Sequence, residues 1–313
     1  MKTVKPKKLL RGDLIGIISP ASSPDDLSKI NSGVQYLEKL GYKVAVGKSV
    51  GQVKGYLAGD DPDRLNDLHS MFSNKEVKAV FTVRGGYGAM RLLDKIDYGL
   101  IKKNPKIFVG YSDINALQLA FLNKCGLITF SGPMVAVDFH SEVSAFTEEN
   151  FWRIITSDKK IGRLHNPNEE KFYHLTGGRG EGMIMGGNLT VINALMGTGY
   201  LPDFKNSIIL LEDINEPPYK IDRMLNQLRI AKIFANAKGI ILGRFINCYE
   251  TDETKSTLTL NEVIEDYFHS LKIPVIYNFK HGHTKDNLTV PLGINTYINS
   301  DKGIVEIGES AVI

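Results

Sequence analysis

The chain is poor in sulfur, in tryptophan and in excess charge. Its 313 residues contain two cysteines, Cys125 and Cys248, far apart and without CxxC spacing. That excludes a disulfide framework and a zinc ribbon, and it points to a reducing, cytoplasmic setting. The net charge is only +3, and the lysines are scattered rather than gathered in a stripe, so nucleic acid is not an expected partner. No apolar run approaches the ~20 residues that a membrane helix needs, so no membrane partner is expected either. A small basic start (Lys5, Lys7, Lys8, Arg11) is followed by a stretch that Arg11 and Asp13 interrupt, too short for a signal-peptide core. The single tryptophan, Trp152, sits in "NFWRI", which reads as a helix packing into the core.

What is present is an ordinary globular composition, 42% apolar and 23% charged, long enough for two domains. The first half alternates short apolar strands ("LIGIIS", "YKVAVG", "VKAVFTV", "KIFVG", "GLITFSG") with helical patterns. That predicts an α/β domain over 1–140 built on a parallel sheet, with ligands at the carboxyl ends of its strands. A further helix is expected after the glycine loop "RGGYG". Residues 141–175 are polar and irregular and read as a linker. Over 176–313, many short strands ("GMIMG", "SIILLED", "GIILGRF", "TYINS", "GIVEIG") predict a smaller, β-rich α/β domain. Its most evident helix starts at Pro217-Pro218, where proline is well tolerated.

Four stretches carry candidate chemistry. In "KIFVGYSDINAL", Ser112 is either a helix N-cap or a nucleophile on a strand–turn–helix elbow, with the N–H of Asp113 beside it. The generic G-x-S-x-G pattern is incomplete, because Ile114 occupies the last glycine position. "VRGGYGAMRLL" lacks the P-loop and dinucleotide spacings, but its bare backbone offers N–H groups to an anion, with Gly86 the choice. "IILLEDINEPPYK" ends a buried strand on Glu212-Asp213, with Glu216 close by; these are turn residues or site residues. "YNFKHGHTKDNLTVPLG" carries His281 and His283 in what reads as an exposed loop, and no third ligand completes a metal set. Together these stretches supply serine, acid and histidine in chain order.

Six ordered motifs resemble the LD-carboxypeptidase, or muramoyl-tetrapeptide carboxypeptidase, family of serine peptidases, which includes the microcin C self-immunity peptidases. They are "GDLIGIISPAS", "VRGGYGAMRLLDKIDY", "KIFVGYSDINAL", "GGNLTVINALMGTGYLPD", "IILLEDINEPPYKIDRMLNQL" and "GHTKDNLTVPLG". The resemblance implies Ser112 as nucleophile, Glu212 as triad acid and His283 as triad histidine, with His281 a bystander. It implies an oxyanion hole from backbone groups of Gly86 and Asp113, and a site in the cleft between two domains. No cofactor or metal, a homodimer, and a small muropeptide substrate that loses its terminal D-alanine during peptidoglycan recycling are also implied. Arg84, beside the oxyanion loop, is the candidate for the substrate carboxylate. The alternative substrate is a microcin C-like peptidyl-nucleotide, whose base would need an aromatic surface.

Overall fold

The computed structural model describes residues 2–167 and 170–313. Two sheets organise the chain. The first is built from β1 (Leu14–Ile18), β2 (Lys43–Val46), β3 (Val77–Thr82), β4 (Ile107–Gly110) and β5 (Thr129–Ser131). These five strands are mutually parallel in the order β2-β1-β3-β4-β5. β3 and β4 are buried almost throughout, as strands covered by helices on both faces must be.

The helices follow from their sequences. α1 (Ser28–Lys39) and α2 (Asp61–Ser73) are amphipathic, and α2 carries a proline in its first turn with Asp61 and Asp63 at its positive end. α3 (Tyr98–Lys103) is short and is capped by the Asp97 side chain. α4 (Asn115–Cys125) is apolar on nearly every face and correspondingly buried on all of them, ending at a left-handed Gly126. It packs against β5 on one side and against the second sheet on the other.

The second sheet contains β6 (Gly162–Leu164), β7 (Tyr173–Thr176), β8 (Arg179–Asn188), β9 (Ser207–Ile214), β10 (Gly239–Ile246), β11 (Val275–Tyr277), β13 (Asn295–Asn299) and β14 (Ile304–Ile307). Its order is β6-β14-β13-β8-β9-β10-β11-β7: a parallel centre, β8 to β11, flanked by antiparallel strands. α6 (Leu189–Leu195), α7 (Pro218–Ile230) and α8 (Leu260–Phe268) cover it. The α/β class, with a parallel first sheet and a β-rich second half, is the one the sequence predicts.

Three local expectations change. β12 (Val290–Leu292), late in the chain, does not join the second sheet; it pairs antiparallel with β5 and completes the first. The helix expected after "RGGYG" is a single 3₁₀ turn, Ala89–Leu92, because Gly88 enters it at φ +131°. The stretch read as a linker holds α5 (Ala145–Thr156), β6 and β7, apart from residues 168 and 169, which lie outside the described residues. Its helix is amphipathic: Phe151, Ile154 and Ile155 are buried, and Trp152 stacks on Tyr42 and Phe139. Polar flanking residues hid that apolar stripe.

Candidate active site

β4 runs into an abrupt turn. Tyr111 is extended, and then Ser112 opens a 3₁₀ turn, Ser112–Ile114, at φ +63°. A serine gains little from the left-handed region, whereas four of the other five non-glycine residues found there are asparagines, which tolerate it. The Ser112 hydroxyl caps no helix, and among the described residues it has no hydrogen-bond partner. The capping reading therefore fails, and the turn has the shape of a strand–turn–helix elbow.

The glycine loop after β3 is pressed against this turn. A Cβ on Gly85 would lie 2.9 Å from the Ser112 Cβ, and one on Gly86, at φ +97°, would lie 2.5 Å from the Ser22 hydroxyl. Only bare backbone fits there. The two loops are tied together by Asp113, whose buried carboxyl accepts the Ala89 N–H at 2.8 Å; burial pushes its pKa up to about 6. Neither the Gly86 nor the Asp113 N–H has an acceptor among the described residues. Both are available to an anion beside Ser112.

The second sheet supplies the polar partners. Glu212, on β9, is 1% exposed, and its Oε2 accepts the His283 Nδ1–H at 2.8 Å. Its Oε1 accepts from Asn188 Nδ2 at 3.2 Å. With Nδ1 so engaged, the His283 Nε2 lone pair is the basic one. Burial alone would lower the imidazole pKa; the Glu212 charge and hydrogen bond, helped by Asp213 and Asp138, outweigh it and leave it raised. The His283 ring packs edge-on against Tyr111, with centroids 5.1 Å apart, so it lies against the residue that precedes Ser112.

The carboxylates left open by sequence now separate. Asp213 points to α6: it accepts Thr190 N–H at 2.9 Å and Thr190 Oγ1–H at 2.8 Å, and burial, with the Glu212 charge, raises its pKa to about 6. Glu216 pairs with Lys220 at 2.9 Å. Only Glu212 meets a histidine.

The two histidines separate as well. His281 is not in an exposed loop; it is wholly buried. Its Nδ1 donates to the Leu288 carbonyl at 2.7 Å, so its Nε2 must accept from Ser131 Oγ, 3.1 Å away. Between them Gly282, at φ +114°, turns the backbone, and a Cβ there would meet Glu212 Oε2 at 2.5 Å. Among the described residues no group of His, Cys, Asp and Glu is arranged to hold a metal ion. Arg84 is half-buried and donates to the Ser23 carbonyl at 3.2 Å; no carboxylate pairs with it among the described residues. It lines a cleft of about 530 Å³ with Ser22, Ser23 and Tyr56.

Residue-by-residue reading of the sequence missed four neighbours of the site: Asn188, which ties β8 to Glu212 and Asp213 of β9; Asn115, which joins α4 to β8; and Tyr111 and Asp138 beside His283. Asn115, at the start of α4, donates to the Gly186 carbonyl of β8 at 2.8 Å, and a Cβ on Gly187 would collide with it. The "GGN" of β8 was the available signal; a lone asparagine in "SDINAL" carries none.

The chain is similar to known proteins along nearly its whole length. The profile described as "LD-carboxypeptidase N-terminal domain" matches residues 15–132, and "LD-carboxypeptidase C-terminal domain" matches residues 181–298. The chain is 39% identical to a "Probable murein peptide carboxypeptidase" of Bacillus subtilis, over 98% of this chain and 95% of that one. It is 30% identical to the "Microcin C7 self-immunity protein MccF" of Escherichia coli, over 95% and 94% of the two chains. The crystal structure of a muramoyltetrapeptide carboxypeptidase from Oxalobacter formigenes superposes with a TM-score of 0.83 at 31% identity, covering 95% and 99%. With both of its halves matched and the architecture shared, this chain belongs to the LD-carboxypeptidase family of peptidases.

Proposed function

We propose that the protein is a serine-type LD-carboxypeptidase that removes the terminal D-alanine from muropeptide tetrapeptides. The observation that carries this reading is a strained Ser112, its hydroxyl without a hydrogen-bond partner among the described residues, next to Tyr111, against which lies a His283 whose Nδ1 is held by buried Glu212. His283 Nε2 takes the Ser112 proton as Oγ attacks the scissile carbonyl, and the imidazolium is stabilised by Glu212. The Gly86 and Asp113 N–H groups receive the developing oxyanion. The imidazolium then protonates the leaving amine, and water, deprotonated by the same nitrogen, releases the acyl group. Ser112 and His283 are not yet hydrogen-bonded in this state; such bonds commonly tighten when substrate is bound. Arg84, without a carboxylate partner, remains the candidate for the terminal carboxylate of the substrate.

Support for a wall-peptide substrate comes from the relatives named as murein carboxypeptidases. Incubating the protein with purified muramyl tetrapeptides and weighing the products tests it. Loss of one alanine, abolished by a serine-directed covalent probe, is expected; intact tetrapeptide after prolonged incubation would overturn the reading.

One observation favours a second substrate, a peptidyl-nucleotide of the microcin C kind. Trp152 is engaged in the core, but Tyr56, which lines the Arg84 cleft, and Tyr87 are both exposed and meet edge-to-face at 5.4 Å. An aromatic pair of this kind can stack a base. A peptidyl-nucleotide incubated in parallel distinguishes the two.

A further inference from the structure

The loop after β5 brings a second carboxylate to the histidine. Asp138, Tyr111 and His283 line one cavity of about 590 Å³, together with Glu142, Ser144 and Lys285. Asp138 is fixed from below: its Oδ2 accepts the Met134 N–H at 2.7 Å, and the Val135 and Ala136 N–H groups are pinned to the end of β3 at 3.0 and 2.9 Å. Its other side faces the Tyr111 hydroxyl: burial raises the pKa of both groups, that of Asp138 to about 6, and the contact between them raises the phenol further while offsetting part of the rise at the carboxyl. Tyr111 is 4% exposed, and its ring edge meets the His283 ring at an interplanar angle of 71°. Glu212 holds one edge of the imidazole; Tyr111 is what keeps the ring from tilting about that single bond.

We propose that Asp138 is a positioning residue for His283: it anchors Tyr111 against the imidazole, and its charge joins that of Glu212 in stabilising the imidazolium. This rests on the peptidase reading for its consequence in turnover, but the arrangement itself is independent of substrate. The charged and titratable groups facing His283 are Glu212 and Asp213 from β9, Tyr111 from the end of β4, and Asp138 and Glu142 from the segment after β5. His281 and Lys285 add to these from its own loop. Asp138 and Glu212 are the carboxylates among them that act on both Tyr111 and the His283 charge. The simpler role, closing the Met134–Phe139 turn, needs only an acceptor, and an asparagine oxygen supplies that.

The experiment therefore uses Asp138→Asn, Tyr111→Phe and the double variant, with two readouts. The first is the NMR titration of the His283 imidazole, which needs no substrate. Asp138→Asn is expected to lower its pKa by about 0.5–1 unit, because a nearby negative charge has been removed. The second is the pH profile of kcat and KM on muramyl tetrapeptide. Asp138→Asn and Tyr111→Phe are each expected to lower kcat about tenfold, part of the 10²–10⁴ that a positioned base supplies, with KM little changed. Acting through one contact, the double variant should be no worse than Asp138→Asn alone. Thermal melting of Asp138→Asn should match the parent. An unmoved His283 titration overturns the proposal, as do multiplying kcat effects, or a rise in KM at constant kcat. If the parent protein itself leaves tetrapeptide intact, it is the peptidase reading that fails, and the titration still decides this one.

Discussion

The turn at Ser112 and the loop at His283 meet at Tyr111 but are held by opposite means. Ser112 is held by backbone: a left-handed φ, a glycine loop pressed against its Cβ, and, among the described residues, no polar partner for its hydroxyl. His283 is held by polar contacts: a 2.8 Å bond to a carboxylate that is itself bonded to Asn188, and an aromatic edge. The contrast teaches how a site divides its tasks. A nucleophile must keep its lone pairs free, so geometry is imposed through the main chain at a cost in strain. A base must be oriented and electrostatically tuned, so its partners are side chains.

The sharpest way to break this comparison is to delete one group from each region. Ser112→Ala and His283→Ala should each lower kcat by ~10³-fold or more, and the double variant should be little worse, because the members act as one unit. Additive losses, measured by steady-state kinetics on muramyl tetrapeptide, would show that the two regions do not cooperate. Gly282→Ala comes next. It forces a left-handed backbone on alanine and drives a methyl into Glu212 Oε2, so it should lose activity nearly as completely as His283→Ala, and labelling of Ser112 by a covalent probe should fall in parallel because the serine loses its base. His281→Ala should stay within roughly tenfold in kcat, about 1.4 kcal/mol. It should nevertheless destabilise the fold by about 1–3 kcal/mol, since it strands the Ser131 hydroxyl and the Leu288 carbonyl; chemical denaturation reads this directly.

Ser112→Gly sharpens the contrast from the other side. It removes the nucleophile but also the strain, so an inactive protein should melt higher, by about 1 kcal/mol or less once the entropy of glycine is counted. The smallest effect is on pH. Because the folded-state pKa of His283 is raised above its ordinary value of 6.5, its charged form is favoured in the native state. Activity, which needs the neutral base, should therefore fall off on an acid limb above pH 6.5. The stabilisation from the His283–Glu212 pair is full below the unfolded pKa and fades as pH rises through the folded one. A limb below pH 6 in the parent would contradict this.

The strands, the class of the two halves and the identity of the candidate groups were legible because they rest on local signals. These are apolar runs bounded by glycine, a serine after a strand, and carboxylates at a strand's end. What was not legible depends on pairing across the chain. "TVPLG" reads as part of the second half, yet its strand closes the first sheet, and no local propensity reveals a partner 160 residues away. His281 reads as exposed because its neighbours are polar, whereas Ser131, from the other half, covers it. Tyr111 and Asp138 each look like ordinary loop residues until β4 and β5 lie side by side.

The placement of β12 also fixes an order in time. The edge beyond β5 stays open until Val290–Leu292 has been synthesised and has paired with Thr129–Ser131. His281, which bonds to Ser131, and His283, which completes the site, arrive on the same late segment. During translation the serine-bearing half is therefore made first, without its base and with an unpaired strand edge. Closure of that edge and arrival of His283 both depend on this one segment. On the proposed mechanism, a chain cut before this segment would lack its base and would leave that edge open to pairing.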